Sequence, residues 1–284
     1  MCLKSLCLSI NPFLLIGAFL LTACTPSQRQ SFMIETQEVV GTVTLVVHPS
    51  PTTDDLELTA TQELPTLELA LPPTATALVI EQETLKDEGE DPKYTVAVNY
   101  PEIAGMEGFN QASQAIAERI VDAFLENLAT YPPVGELSQM SYSSVSMDYS
   151  VLEKTPEVIS VYFQISEYYS GAAHPFPFSA VLNYDVRNQQ VLDLSDLFQP
   201  NAEYLRVISE YVTNELSGEE WFTFTDGVLP EAENYQIWNL TPEGLLITFD
   251  PYMVAPYAAG FIKVVVPYDE FIGIVNPEGV LARN

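Results

Sequence analysis

The chain has 284 residues, with 10 basic and 39 acidic side chains and a formal net charge of −29 at pH 7. A balance this acidic repels a phosphate backbone and anionic lipid, so it excludes nucleic acid as a partner and argues against lying flat on a membrane. It favours solubility and speeds encounter with a strongly basic partner. The three cysteines, Cys2, Cys7 and Cys24, all lie in the first 24 residues. The rest of the chain therefore has no disulfide, thiolate nucleophile or cysteine metal ligand, and must rely on an apolar core.

In chain order, the first element is a secretory signal over residues 1–23. Lys4 is its one charge, an apolar stretch runs over 13–21, and small residues precede Cys24. A membrane span is the alternative. The run over 10–23 is about 14 residues, short of the roughly 20 a span needs, and Asn11, Pro12 and Gly17 interrupt it. Leu21-Thr22-Ala23-Cys24 resembles the lipobox of bacterial lipoproteins. That resemblance implies acyl chains on Cys24 and an extracytoplasmic position in the cell envelope, anchored to a membrane by lipid. The mature chain would carry 9 basic and 39 acidic residues, a net −30.

Residues 24–91 read as a disordered stalk rich in Thr, Pro and Glu. Between Gln30 and Asp91 there are 13 acidic residues against one base, Lys86, and Phe32 is the only aromatic. Such a segment cannot bury enough apolar surface to offset its ordering entropy. Residues 39–47, Val-Val-Gly-Thr-Val-Thr-Leu-Val-Val, have the β-branched density of a strand. They either join a sheet or form an isolated apolar patch.

The head begins at Pro92. Residues 94–100 read as a strand stopped by Pro101. A helix is predicted over 110–130, with Asn110 as N-cap, Ile116, Ile120, Phe124 and Leu128 along one face, and Ala112 and Ala115 permitting close packing. Pro132-Pro133 would end it. Strands follow at 142–151 and 158–169, the second alternating Ile159, Val161, Phe163 and Ile165. After a turn at Ser170-Gly171 come strands at 178–186 and 190–194. A second helix over 201–216 places Leu205, Ile208, Val212 and Leu216 inward, with Gly218 as terminator. Strands at 235–238, 245–249 and 261–266 complete the chain. Strands in runs, interrupted by two main helices, argue an α+β fold with antiparallel sheet. Residues 92–170 and 171–284 are read as N- and C-terminal α+β subdomains.

Catalytic signals are sparse. His174 is the only histidine of the head, and no nucleophile elbow, dinucleotide fingerprint, phosphate loop or calcium loop occurs. Ser166 or Ser170 beside His174 could form a nucleophile pair, a hydrolase reading that lacks an orienting third group. With 39 acids, a carboxylate pair carries no information. The expectation is a binding protein, not an enzyme, with no catalytic residues, metal or cofactor. The densest local signal is 168–178, with Tyr168, Tyr169, Gly171, His174, Pro175 and Phe176 on an irregular loop. Exposed, this mixture suits a partner-binding surface; otherwise the aromatics plug the core and His174 bonds a backbone carbonyl.

Ser170-Gly171-Ala172-Ala173-His174-Pro175, Leu182-Asn183-Tyr184-Asp185 and Val191-Leu192-Asp193-Leu194-Ser195-Asp196-Leu197-Phe198 resemble a family of extracytoplasmic domains. So do Phe249-Asp250-Pro251-Tyr252, Ala255-Pro256-Tyr257-Ala258-Ala259-Gly260 and Val266-Pro267-Tyr268. This family of unknown function is shared by the lysozyme-recognising outer part of anti-sigma-V factors and the non-catalytic part of a peptidoglycan deacetylase. The resemblance covers about 92–271. Two departures stand out: an alanine, Ala172 or Ala173, replaces a second turn glycine, and Asn188-Gln189 stands where the family usually has Thr-Gly. The chain as given shows no sigma-binding or deacetylase segment. The resemblance implies a binding module whose partner is a basic, lysozyme-like protein. The alternative is a wall-glycan binder or accessory to peptidoglycan modification, with Tyr168, Tyr169, Tyr184, Tyr252 or Tyr257 stacking on sugars.

Overall fold

The computed structural model describes residues 78–130 and 142–283, which fall within one compact unit. The expected signal, the lipidation site Cys24, residues 39–47, Pro132-Pro133 and most of the expected stalk lie outside the described residues. None of the described helices is long and apolar enough to cross a membrane.

A six-stranded sheet comes first, in spatial order β1 (Ile80–Glu90), β2 (Lys93–Ile103), β3 (Ser143–Lys154), β4 (Val158–Tyr168), β5 (Phe176–Asp185) and β6 (Gln190–Val191). Neighbours are antiparallel except β2 and β3, which run parallel because helix α1 (Glu107–Thr130) carries the chain back between them. A second sheet, β7 (Trp238–Thr241), β8 (Gly244–Phe249) and β9 (Ile262–Val266), is wholly antiparallel. Helix α2 (Tyr204–Leu216) packs against it, and the short α3 (Val280–Arg283) ends the described chain. The α+β architecture read from the sequence is the one observed.

The expected stalk ended at Asp91, yet its last residues are β1, paired along its whole length with β2. The change in composition at 91/92 marks a hairpin turn. β1 is acidic and mostly exposed because it is an edge strand, and charge on an edge discourages pairing with another chain. Pro101 does not stop β2. It lies beyond Val98↔Met147, the last β2–β3 pair, where β1 is the only neighbour and a missing N–H does not interrupt a central strand.

Two cores lie on opposite faces of β4. Ile159, Val161, Phe163 and Ile165 point toward α1 and meet Ile116, Ala117, Ile120, Phe124 and Leu128. Each of these side chains except that of Ala117 contributes about 2 kcal/mol on burial. Ala117, not Ala115, allows the close approach; Ala115 is exposed. Asn110 lies inside α1 and clamps Ile103, donating to its carbonyl (3.0 Å) and accepting from its N–H (2.8 Å). The second core joins α2, through Ile208, Val212 and Leu216, to Leu245, Ile247 and Phe249 of β8. Residue 170/171, the expected subdomain boundary, falls between the paired strands β4 and β5, and Leu182 and Tyr184 of β5 belong to the first core.

Candidate functional site

Two loops meet on the surface where β5 begins and β8 ends. Gly171, at φ 93, turns the first, with the Ala172 N–H donating to Tyr169 O at 2.8 Å. Only Gly171 needs the left-handed conformation there, so the alanines after it cost no strain. His174, Pro175 and Phe176 are exposed. The His174 Nδ1–H donates to Pro175 O (2.9 Å), the tautomer that contact requires. Tyr257, from the loop after β8, donates its hydroxyl to the same carbonyl at 3.0 Å.

The rings follow. His174 lies 4.3 Å from Tyr257, and Tyr257 lies 5.7 Å from Tyr252. Phe176, 51% exposed, sits 6.1 Å from Phe178. Tyr252 is 52% exposed and has φ 74, a conformation rare for a bulky residue. Its N–H donates to Ala255 O (3.1 Å), which closes the loop. A left-handed residue held in place by its surroundings is a feature of ligand clamps and switch regions.

Behind this patch lies a polar group that the sequence reading did not assemble. The Ser179 N–H donates to Asp250 Oδ2 at 3.1 Å, and the Ser179 hydroxyl is 2.8 Å from that of Tyr162. Lys263 Nζ stands 4.2 Å above the Tyr162 ring. Asp250 Oδ1 is buried without a hydrogen-bond partner among the described residues. Burial raises the Asp250 pKa, opposed by the Ser179 hydrogen bonds. The one sequence signal for this cluster was a carboxylate placed directly after the apolar run of β8.

Other expected site residues go elsewhere. Tyr169 packs 5.5 Å from Phe124 in the first core; burial pushes its hydroxyl pKa to about 12. Tyr184 is buried edge-on to Phe109 at 5.7 Å. Tyr168 ends β4, half-buried and away from these ring contacts. The hydrolase pairing gains no geometry: His174 Nδ1 faces a carbonyl, and the Ser170 N–H is bound to Ser143 Oγ at 3.0 Å.

Two family models match the chain. One described as a protein of unknown function (DUF3298) matches residues 195–269, and one described as deacetylase PdaC matches 88–177. The peptidoglycan-N-acetylmuramic acid deacetylase PdaC of Bacillus subtilis (strain 168) is 27% identical over 189 residues, covering 64% of this chain and 38% of that protein. Anti-sigma-V factor RsiV of the same organism is 22% identical over 192 residues, covering 63% of this chain and 64% of that one. The chain shares with both a domain of unknown function. It spans less than two thirds of the length of either relative. A DUF3298 family protein of Pseudomonas aeruginosa PAO1 has the same fold, with TM-score 0.51 and 21% identity over 70% of this chain and 95% of that one. A Bacteroides fragilis NCTC 9343 member of the family scores 0.47 at 14% identity, covering 70% of this chain and 94% of that one. The aromatic patch of the shared domain draws His174 and Phe176 from the first matched segment and Tyr252 and Tyr257 from the second.

Proposed function

We propose that this chain is a lipid-anchored cell-surface binding module, held by acyl chains on Cys24, and that its aromatic patch receives a basic protein of the lysozyme kind. The observation that carries the reading is the surface group of exposed His174 and Tyr252 with half-buried Tyr257 between them, built from two loops distant in sequence. Tyrosine is one of the residue types enriched among the few that dominate binding energy at protein interfaces. The likeness to an anti-sigma-V factor and the net charge of −29 both support a cationic partner. A module of this kind acts by binding, without catalysis.

The test is calorimetric titration of residues 25–284 with a basic lysozyme at two ionic strengths. Saturable binding that weakens with salt, as expected where the screening length is roughly 8 Å at 0.15 M, supports the reading. No binding at either salt concentration removes it, and wall glycan then becomes the ligand class to test.

A further inference from the structure

At the other end of β5, roughly 25 Å from Phe176 at 3.3 Å per residue, the chain forms a second recess that the aromatic patch does not include. Its volume is about 240 Å³, and its lining includes Leu78, Met106, Gly108, Tyr184, Val186 and Gln189. That is below the roughly 300 Å³ at which pockets for drug-sized ligands begin. It has room for a substituent.

Three polar features converge there. Tyr184 is 2% exposed, yet its hydroxyl has no hydrogen-bond partner among the described residues. The hydroxyl is the part of the side chain that opens onto the recess, so water reaches it there and a ligand acceptor can take the water's place. The first turn of α1 lines the same recess. The N–H groups of Glu107, Gly108 and Phe109 have no i−4 carbonyl within the helix; the first ladder bond runs from the Asn110 N–H to Met106 O at 2.9 Å. Gln189, at φ 54, lines the recess as well, its carbonyl 3.7 Å from where a Cβ on residue 108 would stand. Glycine at 108 keeps the recess open, because a Cβ there would overlap the Tyr184 hydroxyl.

The site thus sets the Tyr184 hydroxyl and the Gln189 carbonyl beside Gly108 at the start of α1, with apolar walls from Leu78, Met106 and Val186. A helix N-terminus ordinarily favours anions. Here Glu107 lines the recess, no Lys or Arg does, and the chain is strongly acidic. A neutral group fits better: its carbonyl accepts from Tyr184 and the helix amides, its N–H donates to Gln189 O, and a methyl contacts the apolar wall.

We propose that this recess binds a secondary acetamide, the group carried by N-acetylated amino sugars. The site is separate from the aromatic patch, and its test does not depend on a protein partner. The experiment follows amide NMR shifts of residues 25–284 on adding N-acetylglucosamine, with glucosamine and N-acetylalanine methylamide as comparison probes. The expected result is saturable shifts at 105–109 and 184–189 with N-acetylglucosamine and none with glucosamine. Tyr184→Phe, which keeps the ring on Phe109, weakens binding about fivefold, as loss of one hydrogen bond does. Gly108→Ala combined with Tyr184→Phe removes the clash, fills the recess and abolishes binding. Equal affinity for the acetylated peptide supports the acetamide site and makes peptide its source. Equal affinity for glucosamine, full binding by Tyr184→Phe, or no shifts at tens of millimolar sugar overturns the proposal.

Discussion

Asp185 accepts a hydrogen bond of 2.6 Å from Arg283 Nη2, which ties the last helix to the end of the Asn-Tyr-Asp strand. The Asn188 N–H and side-chain amide, each at 2.9 Å, add to it, and Arg283 Nε lies 3.1 Å from Glu157 Oε2. That last contact is an ion pair without hydrogen-bond alignment, since both atoms are otherwise unpartnered. Burial alone would raise the Asp185 pKa. The Asn188 N–H and the Arg283 guanidinium outweigh it and hold the carboxyl below its ordinary value.

A depressed folded pKa gives stability that is present above the ordinary carboxylate range and is lost as pH falls through the folded value. Arg283→Ala leaves a carboxylate that is 3% exposed without its counter-charge and should cost about 3 kcal/mol at pH 7. Urea unfolding at pH 7 and at pH 3 checks this. The gap between wild type and variant should narrow in acid, and a gap independent of pH would show that Arg283 acts through packing alone.

Ser160 joins the two sheets. Its hydroxyl donates to Asn183 Oδ1 at 2.6 Å and accepts from Asn239 Nδ2 at 2.9 Å and the Leu240 N–H at 3.0 Å. Asn183 in turn donates to Trp238 O at 2.8 Å. Ser160→Ala leaves several buried groups without partners and should destabilise by about 3 kcal/mol. Cysteine in its place, nearly the same size but a poor hydrogen-bonding group, should not rescue. Tryptophan fluorescence, which reports on the second core, and far-UV dichroism, which reports on both, should shift together; separate midpoints would mean the junction does not couple the cores.

A chain beginning at Pro92, the start of the head as composition suggests, lacks β1. It loses the burial of Ile80 and Leu85 and exposes an edge of β2, a strand buried through Val96, Val98 and Tyr100. Such an open apolar edge invites intermolecular pairing. The shortened chain should aggregate, or unfold several degrees below one beginning at residue 70, which light scattering during a thermal ramp measures. Equal behaviour of the two would make β1 dispensable.

β1 shows what periodicity misses. Ile159, Val161, Phe163 and Ile165, and the α1 stripe from Ile116 to Leu128, were legible because one face of each element is apolar. β1, with Glu81, Glu83, Asp87, Glu88 and Glu90, has the composition of a solvated segment. It is a strand through backbone pairing at an edge, which side-chain pattern does not encode. Asn110 was misread as a cap for a similar reason: its side chain does bond main chain, but that of Ile103 in the preceding strand.

The candidate site was half legible. Aromatic density and the glycine turn singled out His174 and Phe176, and the motif containing Pro256 singled out Tyr257. The face each aromatic takes was not readable: Tyr184 enters the core because alternation along β5 turns it inward, Tyr169 packs on the same core one residue past β4, and Tyr252 and Tyr257 lie on a loop free of that constraint. The Tyr162–Ser179–Asp250 group draws on three separate segments, and proximity of that kind is fixed by sheet packing and not by spacing along the chain.

Tyr252 permits a test that separates binding from stability. Its backbone sits at φ 74, where a side chain with a Cβ is strained by about 1–3 kcal/mol and glycine is not. Glycine gives back part of that gain through its greater entropy when unfolded, about 0.5–1 kcal/mol. Tyr252→Gly should therefore leave stability unchanged or raise it by about 1 kcal/mol. If the ring is presented to a partner, the same change should weaken a basic lysozyme at least tenfold, the loss typical of a central aromatic contact. Tyr252→Phe keeps ring and strain, so its affinity should stay near wild type. Thermal unfolding and titration on the three proteins give both numbers. A glycine variant that is less stable and binds as well as wild type would assign Tyr252 to the fold. One that is more stable and binds poorly would mean that the loop holds its strain for recognition.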